Sequence, residues 1–151
     1  MRFVALCLCF LSWTASALRA ETSAASVQPQ WNHITVESMK TSIYIGSVRL
    51  ATGVFERNGG NFSTTYDARV VPWFFWSEAG TITLFLNDVE WTKLARGERT
   101  DFKGEAMNEK KKPRHVTGWA QPADRTSGKI KVRVMADGIE LIFNGTYKLG
   151  S

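Results

Sequence analysis

The chain has 151 residues, of which 44% are apolar and 22% charged, with a net charge of +5. That is enough for one core-bearing domain. The balance is too mildly basic for a nucleic-acid-binding composition, so no nucleic-acid partner is expected.

The first twenty residues read as a cleavable secretory signal. Arg2 supplies a positive start, Phe3 to Leu11 is an unbroken apolar run, and Ser12 to Ala17 is rich in small residues. This is the three-part order of a signal peptide. Ala15-Ser16-Ala17 and Leu18-Arg19-Ala20 both offer small-residue cleavage sites. The apolar run falls short of the ~20 residues that a spanning helix needs. The expected product is therefore exported, periplasmic or extracellular, and not transmembrane after cleavage. Cys7 and Cys9 both lie in the leader. The mature chain then has no disulfide, thiol nucleophile or thiolate metal site. Loss of Arg2 and Arg19 with a leader cut after Ala20 lowers the charge from +5 to +3. Residues 21–30 (ETSAASVQPQ) are small and polar and read as a disordered lead-in. A single β domain is expected over residues 31–151.

From Trp31 onward, period-two alternation with β-branched and aromatic residues dominates. A first strand is expected over 32–39. A long one follows over 43–56, bent at Gly46 or Gly53. Asn58-Gly59-Gly60-Asn61 tolerates positive φ and suits a hairpin turn. A return strand is expected over 62–76, its last part, Trp73-Phe74-Phe75-Trp76, apolar on both faces and so suited to a buried central strand. Pro72 lacks a ladder donor, which argues for an edge or a bulge there. Another strand is read over 81–86.

Residues 88–96 carry the only helical pattern, with Asp88 as expected N-cap, Trp91 and Leu94 on one face, and Gly97 just past the end. A hairpin is then expected from 102–107 and 115–121 around a loop over 108–114. Facing Ala106 to Val116 places Gly104 opposite Gly118 and Phe102 opposite Ala120, and this small-residue face could receive the Trp73–Trp76 aromatics. After a loop over 122–128, Ile130, Val132 and Val134 alternate with Lys129, Lys131 and Arg133. Asp137-Gly138 turns the chain into Ile139, Leu141 and Phe143, and Asn144-Gly145 is a further tight turn or a bulge. Short strands linked by local turns predict an all-β fold: an antiparallel β-sandwich or a small closed β-barrel with one short helix.

Chemistry-bearing patterns are sparse. His33 and His115 are the only histidines, and neither belongs to a metal-ligand cluster or a nucleophile motif. A hydrolase would have to pair one of them with a carboxylate such as Glu105, Asp124 or Glu140. No cofactor motif is present. Asn61-Phe62-Ser63 and Asn144-Gly145-Thr146 match the glycosylation pattern but are better read as turn residues. Two features stand out. Lys110, Lys111, Lys112 and Arg114 form the densest charge run, fit for an anionic surface such as lipid headgroups, a glycan or an acidic protein patch, or simply for solubility. Trp73 and Phe75 could line an apolar ligand cavity. The pattern therefore favours a non-enzymatic binding module for an apolar ligand or an anionic envelope component. A hydrolase and an assembly module, with the aromatic face as a subunit contact, are the alternatives.

Overall fold

The computed structural model describes residues 31–151; the leader and the polar lead-in expected over 1–30 lie outside them. The alternating pattern becomes ten strands: β1 (His33–Val36), β2 (Met39–Ile43), β3 (Gly46–Thr52), β4 (Phe55–Asn58), β5 (Asn61–Val71), β6 (Glu78–Phe85), β7 (Thr100–Asn108), β8 (Pro113–Pro122), β9 (Ser127–Ala136) and β10 (Ile139–Gly150). The helix α1 (Asp88–Ala95) sits between β6 and β7.

The all-β expectation holds, and of its two forms the barrel is the one formed. Strands β4 through β10 and β1 pair in a closed antiparallel ring of eight. The ring closes where β10 meets β1 (Thr35 opposite Lys148) and β1 meets β4 (Ile34 opposite Phe55). Closure leaves no free edge within the ring, which is what separates a barrel from a sandwich. Strands β2 and β3 lie outside it. β5 serves both, pairing with β4 through its first residues and with β3 through its last.

Inward positions fill the barrel. On β7 burial alternates without a break, Phe102, Gly104 and Ala106 inward and Asp101, Lys103 and Glu105 outward. Small inward residues make room for large ones. A Cβ at Gly118 would lie 2.6 Å from the Phe102 ring.

Six local expectations need correction. The 32–39 strand breaks at Glu37-Ser38, with β1 ending at Val36 and Met39 opening β2. The 62–76 strand ends at Val71; Pro72 stops the ladder, and Phe74–Trp76 form a 3-10 turn whose aromatics are exposed rather than sandwiched. They do not pack on the small-residue face, which points into the barrel. The 102–121 hairpin keeps its expected faces but shifts by two residues, with Gly104 opposite Val116 and Phe102 opposite Gly118. The shift arises because the loop is shorter than expected: Asn108 closes it by bonding Lys112 through backbone and side chain, so β8 starts at Pro113. The 43–56 strand is two strands, β3 and β4, interrupted at Gly53-Val54 and preceded by a tight turn at Tyr44-Ile45. Asn144-Gly145 is neither turn nor bulge. Both residues stay in register with β9, and Gly145 is small because Met39 of β2 crosses it, with its Cγ 2.5 Å from where a Cβ would stand.

The last correction concerns the helix. Asn87, not Asp88, is the N-cap. Its Oδ1 accepts from the Glu90 amide at 2.9 Å, and the Glu90 carboxylate accepts from the Asn87 amide at 3.0 Å, a reciprocal capping box. Asp88 instead pairs with Arg57 at 2.6 Å. Trp91 and Leu94 are buried as expected, with the Trp91 ring 4.8 Å from that of Phe62, so α1 closes one end of the barrel.

A candidate ligand chamber at the open end

Strand direction sorts the connections to two ends. The turn at Gly59-Gly60, the helix, the 123–126 loop and the β1–β10 closure lie at one end. The Tyr44-Ile45 tip, the 72–77 excursion, the 109–112 tip and the Asp137-Gly138 turn lie at the other. The second end has no helix across it. Its loops surround a chamber of about 650 Å³, within the range of small-molecule sites.

The walls come from several elements. Ile43 and Val48 descend from the β2–β3 hairpin, Val70 from β5, Phe75 and Trp76 from the 3-10 turn, and Ile139 from β10. The excursion that carries the aromatics is tied at its neck and its tip. The Ser77 hydroxyl oxygen accepts from the Val70 amide at 3.0 Å, taking the place of the lost ladder bond. The Trp73 indole donates to the Ile45 carbonyl at 3.1 Å, which joins the two tips. Behind these ties the rings meet edge to face, Phe75 against Trp76 at 5.3 Å and Trp73 against Phe75 at 5.8 Å.

The floor is polar. Glu78 stands in phase with Ile82 and Leu84 on β6 and so points inward. Its carboxylate accepts from the Tyr66 hydroxyl (3.1 Å), from Asn108 Nδ2 (3.0 Å) and from Arg114 Nε and Nη2 (3.2 and 3.0 Å). Arg114 also donates from Nη1 and Nη2 to the two Asp137 oxygens at 2.8 and 3.0 Å. One guanidinium thus binds two carboxylates in the forked geometry that arginine favours. Desolvation alone would raise the Glu78 pKa, but the hydrogen bonds from Arg114, Asn108 and Tyr66 outweigh it and hold the carboxyl below its ordinary value. Asp137 is lowered by the same arginine, and Arg114 is raised by the two carboxylates. Tyr66 is raised, by burial first and then by the Glu78 charge. The four strands β5 to β8 and the Asp137 turn are stitched together here. Beneath the network lies a void of about 30 Å³.

The chamber brings most of the sequence's candidate residues together. Phe75 lines it, with Trp73 one layer behind. Lys110 and Lys112 stand on its lip, and Arg114 is in its floor. Lys111 occupies the tip of the β7–β8 connection with φ of 60° and is not part of the wall. Arg114 differs from its three lysine neighbours. It is buried and doubly paired, not a free surface cation. Glu78, Asn108 and Asp137 escaped the sequence reading. A glutamate in the apolar phase of β6 is the signal that could have exposed the floor. Neither histidine lines the chamber. His115 is exposed on the outer wall opposite Glu105, and His33 lies at the helix-capped end opposite Gly150.

Among the described residues no three His, Cys, Asp or Glu side chains gather to hold a metal ion, and no helix is long and apolar enough to cross a membrane. Comparison of the chain with protein-family models, with curated proteins and with solved structures finds no match.

Proposed function

We propose that the protein is an exported binding protein that holds a small, mostly apolar molecule in the open end of the barrel, with any anionic group of that molecule at the lysine lip. The single observation behind this reading is the chamber itself. Its walls are apolar, and the charged groups of its floor already satisfy one another. A ligand therefore gains by removing apolar wall from water, at about 25 cal/mol per Å², without having to displace an unpaired charge. Lys110 and Lys112 are absent from the ion pairs found among the described residues and are free to meet an acid group. The export component rests on the leader pattern of residues 1–20.

Native mass spectrometry of the protein purified from its own host tests the reading. A retained small molecule, lost when Val70 is enlarged (Val70→Trp) or Trp76 is made polar (Trp76→Asp), is the expected result. A bare protein that also fails to take up long-chain fatty acids or hydrophobic dyes in titration overturns it. N-terminal sequencing of the same sample checks for cleavage after Ala17 or Ala20.

A further inference from the structure

The rim of the open end carries exposed apolar side chains, some of which also form the mouth of the chamber. Tyr44 is fully exposed at the β2–β3 tip and Ile139 is 62% exposed on the third tip, both at the chamber mouth, and Phe74, which is not part of the chamber wall, is 79% exposed at the 3-10 turn. Trp73, Phe75 and Trp76 complete the same ring. At the other end Trp91 is turned inward and only 1% exposed, and among the described residues Phe85 alone of the large aromatics there is exposed, at 40%. An apolar ring of this kind on one end of a domain marks an interaction surface.

Charge identifies the partner. Lys110, Lys111 and Lys112 occupy the fourth tip. Of the nearby acids, Glu78 and Asp137 are held by Arg114, which leaves Glu109 as the local counter-charge. Aromatic side chains settle at the boundary of headgroups and acyl chains, and lysines beside them engage lipid phosphates. A second copy of this chain fits less well. A two-fold contact through the rim would bring both lysine triplets into one interface.

We infer that the rim docks on anionic lipid bilayers, with Tyr44 and Phe74 at headgroup depth and Lys110 to Lys112 on the phosphates. The chamber then opens directly onto the membrane. The docking shares Lys110 and Lys112 with the lip of the chamber but needs no cargo inside it, so vesicle binding and ligand uptake can fail separately.

Vesicle co-sedimentation is the test, with phosphatidylcholine alone and with phosphatidylglycerol added, at low and at physiological salt. Wild type should bind the anionic vesicles, lose binding as salt rises, and show a blue shift of tryptophan emission. Each lysine near an anionic surface contributes about a fivefold change in partition, so Lys110→Glu/Lys111→Glu/Lys112→Glu should weaken binding by about a hundredfold or more. Tyr44→Ala/Phe74→Ala should weaken it on both kinds of vesicle. The leader is the same in every variant, so these differences report the rim. Equal binding to both vesicle types, salt-insensitive binding, or unchanged binding by both variants overturns the inference. So does a sedimentation result in which the rim variants abolish a dimer but leave vesicle binding intact. The wild-type salt series decides the matter even where a variant folds poorly.

Discussion

The two ends of this barrel are built from the same kinds of residue to opposite effect. At the closed end the Trp91 ring of a two-turn helix lies against Phe62, and Trp91, Phe62 and Leu94 are all buried. At the open end, four aromatics in succession stand exposed at a short turn, and two of them, Phe75 and Trp76, line a chamber. The polar groups are reversed as well. The closed end keeps its Arg57–Asp88 pair on the outside, whereas the open end places an arginine and a glutamate inside. A barrel of eight strands has just enough interior to be filled by side chains or to hold one small ligand. This one does the first at one end and the second at the other.

If the closed end is the stabilising half, its removal should cost most. Trp91→Ala takes a wholly buried indole from the plug and should destabilise the fold by about 3–5 kcal/mol, read as a lower denaturant midpoint at unchanged slope. A change below about 1 kcal/mol would mean that the helix decorates the barrel rather than closing it.

The floor network is the point where the open end contributes to stability. Arg114→Met leaves Glu78 in its half-buried place without its main partner and should destabilise by about 2–4 kcal/mol. Arg114→Met with Glu78→Leu should recover part of that loss, because the orphaned charge is gone. Strict additivity of the two would show that the pair is not coupled. The same network sets an acid limb. Glu78 and Asp137 have pKa values lowered by folding. Their contribution is complete above the ordinary carboxylate range of about 4 and is lost as pH falls through the lowered folded values. Thermal midpoints should therefore hold steady from neutral to about pH 5 and drop below pH 4, less steeply in the Arg114→Met variant. At the alkaline end Tyr147, pushed up to about 12 by burial, gives stability that is present below about pH 10 and lost as pH rises through the folded value.

How much of this contrast is legible in the chain depends on the range of the interaction. Alternation along β7 and β9 and the glycine turns at 59–60 and 138 are local, and they read correctly. Barrel closure depends on β1 meeting β10 from the opposite end of the described chain, and no local pattern carries that. The aromatic run misleads because four apolar residues look like a doubly buried strand; Pro72 is the local sign that they are not. Arg114 misleads in the other direction. Grouped with three lysines it reads as loop, yet it is in phase with Val116, Gly118 and Ala120, and only the early start of β8 turns it inward. The candidate site was therefore visible as two unrelated oddities, 73–76 and 110–114. Their meeting at one mouth follows from the two strands between them, β6 running out to the closed end and β7 running back.

The sharpest form of the comparison is the substitution expected to matter least for stability. Phe75 is exposed in a short turn and contacts other exposed rings, so Phe75→Ala should shift the unfolding free energy by no more than about 0.5 kcal/mol. It should nevertheless weaken uptake of an apolar ligand by about tenfold, because the ring is part of the chamber wall and its burial by cargo is worth about 1–2 kcal/mol. Trp91→Ala should show the converse, a large loss of stability and, in the fraction still folded, unchanged affinity. If Phe75→Ala instead lowers stability and affinity together, the rim belongs to the core and the division between a plugged end and a binding end fails. If it lowers neither, the chamber is not where the ligand sits.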